Sequence, residues 1–77
     1  MRFVDNKGWR YKAATKMGLV IEIMDAVKSW IPADTVEEFM GGCASRIYNH
    51  YDVEITYTDA DTFVDELIKL EIIKEIN

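Results

Sequence analysis

Histidine and cysteine, the residue types most often found in nucleophilic catalysis and zinc binding, occur once each in this sequence, and neither has the neighbours that such chemistry needs. His50 is the only histidine and Cys43 the only cysteine among 77 residues. A zinc site takes about four convergent ligands, and a nucleophilic thiol needs a nearby group that lowers its pKa. Cys43 falls on the apolar side of a predicted helix, which favours a buried, unreactive thiol. We therefore expect no catalytic residue, and a structural role for His50 at the end of that helix.

The segment DADTFVDE, residues 59–66, has four acidic residues in eight positions, a density that could indicate a divalent-cation site. Calcium loops place oxygen ligands at positions one, three and five, with a central glycine and a terminal glutamate, and this segment lacks that pattern. Acidic side chains in the first turn of a helix are explained instead by their favourable interaction with the helix dipole. We expect no metal, no cofactor and no enzymatic activity.

The first sixteen residues mix cations with aromatic rings, as single-stranded nucleic-acid platforms do. The residues that would form such a contact are Arg2, Lys7, Trp9, Arg10 and Lys12. The other interpretation is an amphipathic hairpin in which Phe3, Trp9 and Tyr11 share one face. Arg10 and Lys12 then share the opposite face. We favour the hairpin, with its aromatic rings packed on the rest of the protein.

The charges are divided unevenly along the chain. Residues 1–16 carry a net charge of +4 and residues 17–77 a net charge of -9, which gives -5 for the whole. A chain of this charge repels the phosphate backbone, so nucleic acid is an unfavoured partner. The acidic surface either keeps a small protein soluble or docks on a basic protein surface. The candidate docking residues are Glu37, Glu38, Asp59, Asp61, Asp65 and Glu66.

Three helices are expected from apolar periodicity and capping signals. The predicted helices span residues 13–31, 34–50 and 58–70. Pro32 is expected to end the first helix, because the residue before a proline avoids the helical region. Thr35 or Asp34 is expected to begin the second helix in a capping box, and Thr58 with Asp61 to begin the third.

Two of these helices have an unusual feature. The apolar arc of the first covers roughly 220° of its circumference. Such a helix is either buried on two sides or packs the core with one stripe and meets a partner, or a second copy, with the other. Trp30 in that second stripe and Tyr51 on the next helix are the candidate apolar anchors of an interface. Gly41 and Gly42 lie inside the second helix, where they imply a bend or a closely approaching backbone.

A small sheet is expected beside the helices. The first twelve residues predict a hairpin around the turn Asp5-Asn6-Lys7-Gly8. The alternation over residues 53–57 predicts a strand that pairs with this hairpin. Residues 72–76 either continue the third helix or form a short terminal strand. The expected fold class is α+β and helix-dominated, with three helices and a small antiparallel sheet from the hairpin and strand 53–57. All of it forms a single domain, 1–77.

From the first helix onward the apolar pattern resembles that of a winged helix-turn-helix domain. VIEIMDAVKSWIPADTVEEF looks like its first helix, turn and second helix, and FVDELIKLEIIKEI looks like its third helix leading to a strand. The resemblance implies a third helix that reads DNA, yet here that helix is acidic, whereas base edges are read by Arg, Lys, Asn or Gln. Glu71 stands where such domains usually have Gly, and no wing follows. The resemblance therefore implies a protein-binding version of the fold.

The sequence thus predicts a non-catalytic protein–protein interaction module in the cytoplasm, with no signal peptide and no membrane-spanning run. In size and charge it is similar to bacteriophage-encoded modulators of host proteins. That similarity implies a small regulator or inhibitor that occludes a basic surface of a larger protein. A homodimer is a second arrangement that the wide apolar arc allows. The competing function is nucleic-acid binding by a winged-helix-like regulator that uses the basic N-terminal segment.

Overall fold

The computed structural model describes residues 1–76 of the chain. Within them, three helices pack against a three-stranded antiparallel sheet. This confirms the α+β fold class. In chain order the elements are β1 (Arg2–Asp5), β2 (Arg10–Lys12), α1 (Lys16–Ala26), α2 (Val36–Tyr51), α3 (Ala60–Lys69) and β3 (Ile73–Glu75).

The third strand of the sheet is not the predicted one. The strand order is β2-β1-β3, so Ile73–Glu75 takes the place that the sequence analysis gave to residues 53–57. Residues 53–57 run between α2 and α3 outside the sheet; Ile55 is buried, and Val53 and Tyr57 are half-buried. Their alternation was a correct indication of one-sided burial. The prediction was wrong because one-sided burial does not require a strand partner, and β1 already had one on each side.

The core lies between the sheet and the helices. Its largest fully buried side chains are Phe3, Leu19, Val20, Phe39, Phe63 and Val64. Burying a side chain of this size contributes about 1.5–3 kcal/mol relative to exposure. Because α1 packs against both α2 and α3, it is the helix that joins the three sets of apolar side chains into one cluster.

The first helix is shorter than predicted. It spans Lys16–Ala26 rather than residues 13–31, with the Thr15 hydroxyl accepting a hydrogen bond from the backbone N–H of Gly18 at 3.0 Å. The chain leaves the helix at Val27, five residues before Pro32, and a tight turn follows in which the N–H of Ile31 donates to the carbonyl of Val27. Proline is therefore not the stop signal.

The apolar arc of α1 is divided between the core and the surface. Leu19 and Val20 are buried, while Met17 and Ile21 are nearly half exposed. The structure thus leaves part of the arc uncovered. Trp30, which the periodicity placed on this helix, lies in the turn beyond its end and is 60% exposed.

The helix starts follow the expected chemistry, with one displacement. Thr35, one of the two predicted caps, begins α2 and accepts a hydrogen bond from the N–H of Glu38 at 3.1 Å, which is one half of the predicted capping box. The box predicted for Thr58 and Asp61 is formed one residue later, by Asp59 and Thr62. The Asp59 carboxylate accepts from the Thr62 N–H at 2.9 Å, and the Thr62 hydroxyl accepts from the Asp59 N–H at 3.1 Å. A carboxylate is a better acceptor at a helix start than a hydroxyl, which explains the choice.

Left-handed residues stop α2 and direct the chain from α3 into β3. Asp52 (φ 56°) follows α2, and Glu71 (φ 59°) follows α3. At the second stop the N–H of Ile72 donates to the carbonyl of Leu67 at 2.9 Å, and that of Glu71 donates to Ile68 at 3.0 Å. This Schellman arrangement sends Ile72 and Ile73 back towards the core, so residues 73–75 form a strand rather than extend the helix.

The glycine pair in α2 has no close backbone neighbour. A Cβ at Gly41 would have no atom within 4 Å apart from its own helix and chain neighbours, and one at Gly42 would meet only the Cγ2 of Ile31, at 3.8 Å. The helix runs unbroken through both residues. Of the two alternatives that the sequence left open, a bend or a close backbone approach, the close approach is absent.

We therefore expect Gly41→Ala to raise the free energy of unfolding by about 0.5–1 kcal/mol, because alanine restricts the unfolded chain and meets open space in the folded one. Urea denaturation measures this. Gly8→Ala is the matched control: Gly8 has φ 89°, so the same substitution should lower stability by about 1 kcal/mol. A loss of stability in Gly41→Ala would show that the open space at that site is required.

Candidate functional site

An apolar cavity of about 260 Å³ opens where the hairpin turn, the end of α1 and the second half of α2 meet. Its inner wall is made by core side chains, among them Phe39, Ile47, Phe63 and Ile73. These residues come from α2, α3 and β3, so the cavity is a gap in the core that faces the solvent. Concave apolar surfaces of this kind are the usual place for ligands and for the anchoring side chains of partners.

Three exposed aromatic side chains surround the mouth of this cavity. Trp9 is 47% exposed, Trp30 60% and Tyr51 47%, and all three line the cavity. We call Trp9, Trp30 and Tyr51 the aromatic rim. The ring centroids of Trp9 and Trp30 lie 5.9 Å apart with a 53° angle between the planes, a separation at which aromatic pairs attract. The hairpin and the turn after α1 are thereby joined across the cavity mouth.

Asp5 fixes the position of the hairpin turn and hence of Trp9. Its Oδ1 accepts hydrogen bonds from the backbone N–H groups of Lys7 and Trp9, both at 2.9 Å. Its Oδ2 accepts from the Tyr11 hydroxyl at 3.1 Å. Three donors on one carboxylate hold the turn in a single conformation. Trp9 is therefore presented by a rigid loop, which lowers the entropy that binding would cost.

The third member of the rim is tied to the same turn. The side-chain amide of Asn6 donates to the Tyr51 hydroxyl at 3.1 Å. Tyr51 is the last residue of α2, so this bond fixes the end of that helix to the hairpin. The rim is thus held at two points, by a tryptophan pair on one side and a hydrogen bond on the other.

Two ionisable side chains at the cavity, Cys43 and Tyr11, have a raised pKa. Burial raises the pKa of the Cys43 thiol to about 11, although Arg46 opposes the shift. Burial and the Asp5 carboxylate raise the pKa of Tyr11 to about 12. Both groups therefore stay protonated at pH 7. The half-buried Cys43 lies in the cavity wall, and His50 is exposed at its edge. The arrangement is suited to binding apolar groups.

The predicted acidic residues do not form one cluster. Asp59 caps α3, and hydrogen bonds from Thr62 lower the pKa of its carboxyl group. Asp65 pairs with Lys16, Nζ to Oδ1 at 2.6 Å. That bond, together with the nearby charge of Asp61, raises the pKa of Lys16. Two of the six acidic residues therefore already have intramolecular partners at the surface.

The other four acidic residues are divided between two helices. Asp61 and Glu66 lie on α3, whereas Glu37 and Glu38 lie in the first turn of α2 and are exposed. Within residues 1–76, no side-chain hydrogen bond or ion pair joins the two sets. The acidic surface is therefore diffuse, and it lies apart from the cavity, whose lining includes none of these residues.

The basic and aromatic residues of the N-terminal segment are separated by the hairpin. Trp9 and Tyr11 line the cavity, and Arg10 and Lys12 do not. The cross-strand partners of β1 and β2 are Phe3 with Tyr11 and Arg2 with Lys12. Aromatic rings and cations thus lie on opposite faces, as the amphipathic-hairpin interpretation expected, although Trp9 itself stays half exposed. Lys7 remains at the turn, beside the cavity.

Sequence reasoning found part of this site. It selected Trp30 and Tyr51 as apolar anchors, and the structure places both on the rim. It treated Trp9 as a nucleic-acid contact or core residue, and it gave Asp5 no role. The spacing of an aspartate, a glycine and an aromatic residue in one turn was the available signal for Asp5, since such side chains commonly bind their own turn. No sequence pattern indicates that Trp9 meets Trp30.

Comparisons with protein-family models, with curated proteins and with solved structures gave no match. The site is therefore interpreted from its own geometry. Over residues 1–76, no helix has the length and apolar character needed to cross a membrane. In the same range, no three His, Cys, Asp or Glu side chains are grouped so that they could hold a metal ion.

The shifted pKa of Tyr11 predicts a loss of stability at high pH. Tyr11 ionises near pH 10 when unfolded and near pH 12 when folded, so the unfolded state binds fewer protons between these values. Stability should be unaffected below pH 10 and should fall as the pH rises from 10 to 12. An absorbance titration of tyrosinate should show one late step that Tyr11→Phe removes. Asp5→Asn should move that step to lower pH, and Tyr48→Phe should leave it in place; a late step that persists in Tyr11→Phe would contradict the assignment.

Proposed function

We propose that this protein is a non-catalytic protein–protein interaction module that binds its partner at the aromatic-rimmed cavity. The observation that supports this is the presence of Trp9, Trp30 and Tyr51, each about half exposed or more, around one apolar cavity. Tryptophan and tyrosine dominate the energetics of protein interfaces. Leaving three of them in water around a gap in the core of a small domain is costly unless a partner covers them.

The size of the cavity favours an apolar side chain of a protein as its occupant. Its volume of about 260 Å³ is close to the lower end of the range of roughly 300–1,000 Å³ that is typical of small-molecule sites. Most of its exposed wall is apolar, and charged side chains such as Lys7 and Arg46 lie at its edge. One or two large apolar side chains on a partner helix or loop would fill it, as anchors do in helix-in-groove recognition.

The charges near the cavity and on the helices would orient the partner as it approaches the protein. Lys7 and Arg46 are exposed cations at the cavity edge, so an acidic residue beside the partner's anchor would be favourable. Asp61 and Glu66, away from the cavity, would attract a basic region elsewhere on the partner. In this proposal the protein acts as a small regulator or inhibitor that occupies a surface of a larger protein. The aromatic rim provides most of the affinity, and the acidic residues raise the association rate.

If the chain has the winged-helix-like arrangement that its apolar pattern resembles, protein binding suits it better than sequence-specific DNA reading. The helix that corresponds to the reading helix of that family is α3, which exposes Asp61 and carries the Lys16–Asp65 pair. Acidic side chains on that helix would face phosphates unfavourably. A role in protein binding therefore suits α3.

The rim predicts which substitutions weaken binding. A photo-crosslinking residue at position 50, where His50 is exposed at the cavity edge, should capture the partner, and the same residue at position 48, outside the cavity lining, should not. With the captured protein purified, Trp30→Ala should weaken its affinity about thirty-fold, the effect of losing a hot-spot side chain. Tyr48→Ala is the matched control, since Tyr48 is a 53% exposed aromatic on α2 that does not line the cavity, and it should change affinity little.

Cys43 gives a second readout of the same contact. The only thiol of the chain lies in the cavity wall, so its alkylation at alkaline pH should slow when the partner is bound. Equal binding by Trp30→Ala and the wild type, or unchanged alkylation, would remove the cavity as the docking site. A retained small molecule in native mass spectrometry, or a homodimer that Trp30→Ala dissociates, would also contradict a heterologous protein partner.

The acidic residues predict a kinetic effect that the rim does not. Asp61→Lys with Glu66→Lys should lower the association rate at low ionic strength and leave the dissociation rate unchanged, because exposed charges mainly steer the encounter. Stopped-flow measurement over a series of salt concentrations tests this. Glu22→Lys with Asp25→Lys on α1 changes the net charge equally and should have a smaller effect. Equal effects of the two pairs would mean that only net charge matters.

A further inference from the structure

The outer face of the sheet carries four cations. Arg2 lies directly opposite Lys12 on the neighbouring strand, and Val4 has Arg10 on one side and Lys74 on the other. Because side chains alternate along a strand, these residues point away from Phe3, which is fully buried against the helices. We call Arg2, Arg10, Lys12 and Lys74 the cationic sheet face. All four are exposed.

Nothing in the described residues neutralises this face. The two ion pairs of residues 1–76 are Lys16–Asp65 and Lys28–Asp25, and neither involves it. Val4 lies among the four cations, and the two acidic residues of the paired strands, Asp5 and Glu75, share the opposite face with Phe3. Like charges directly opposite each other destabilise a sheet. The pairing of Arg2 with Lys12 is therefore an uncompensated cost, which an anionic ligand would remove.

We propose that the cationic sheet face binds the phosphate backbone of a double-stranded nucleic acid, without reading its sequence. The cations form two rows across the strands, Arg2 with Lys12 in one and Arg10 with Lys74 in the other, and the rows lie about 7 Å apart along the strands. Long, flexible cationic side chains in this arrangement can contact phosphates without contacting bases. The face carries no aromatic ring, because Trp9 and Tyr11 lie on the cavity side. Single-strand binding depends on stacking against such rings, so the duplex, whose bases are already stacked, is the better fit.

The net charge of -5 makes this binding weak and dependent on salt but does not prevent it. The molecule measures 29 × 25 × 24 Å, and charges further apart than about 8 Å are largely screened at physiological ionic strength. The acidic helices pack behind the sheet, on the side of Phe3. The site is distinct from the aromatic cavity, so one protein could hold a partner protein and a duplex at the same time.

Fluorescence anisotropy with a labelled DNA duplex of mixed sequence tests this proposal. The logarithm of the binding constant should fall with the logarithm of salt concentration with a slope of about -0.9 per phosphate contacted, or about -3.6 for four cations. Lys12→Gln and Lys74→Gln should each reduce the steepness by about 0.9. Lys28→Gln, which removes the same charge from α1, should leave the slope unchanged, and Trp30→Ala should bind the duplex as the wild type does.

Each of the other outcomes overturns the proposal. They are no binding at low salt, a slope that the sheet-face variants do not alter, and tighter binding to a single strand than to the duplex. Equal binding to a poly-glutamate peptide would make the occupant an acidic polypeptide. Salt-sensitive self-association in sedimentation, lost in Lys12→Gln, would make it the acidic helices of a second copy. Circular dichroism confirms that each variant is folded, and all the substituted side chains are exposed.

Discussion

The burial of Phe3 determines most of what this protein can present to other molecules. Phe3 lies in the central strand, is fully buried, and pairs with Tyr11 on one side and Glu75 on the other. A shift of one residue in the register of β1 would turn every side chain of that strand to the opposite face. With Phe3 inside, Arg2 and Val4 must face outward, and Asp5 must face the hairpin turn and the cavity. The cationic face and the position of Trp9 are therefore both consequences of one buried ring.

Much of the architecture was accessible from the sequence because it depends on local signals. The Thr35 cap, the Asp-Asn-Lys-Gly turn and the apolar periodicity of three helices each act within a few residues. Strand pairing, in contrast, depends on residues that are far apart in the sequence. Residues 53–57 and residues 73–75 both have strand-like patterns, and only the Schellman stop at Glu71, with a non-glycine residue in the left-handed region, decides which of them reaches β1. The pairing of β3 therefore depends on the left-handed conformation of Glu71, which the sequence did not indicate because no glycine occupies that turn.

Only part of the candidate site could be predicted from the sequence, because its assembly also depends on contacts between distant residues. Trp30 and Tyr51 could be selected one at a time, since each is a large aromatic side chain at the edge of an apolar stripe. Their assembly with Trp9 depends on the early end of α1 and on the Asn6–Tyr51 hydrogen bond, both of which join residues that are distant in sequence. A helix that continued to Pro32 would have carried Trp30 in a different direction and would not have left it in the turn where it meets Trp9.

The Lys16–Asp65 pair shows how the basic and acidic parts of the chain are balanced. Both side chains are partly exposed, 32% and 57%, so solvent screens their attraction and the pair contributes little to stability. Its larger effect is on the distribution of charge. It brings the one cation of the N-terminal segment that lies on α1 to the acidic helix α3, and so weakens the negative field there. The four cations of the sheet remain uncompensated on the far side of Phe3. The result is a molecule with a positive sheet, a moderated negative helical side and an apolar cavity, three surfaces of different chemistry that are separated by the buried core.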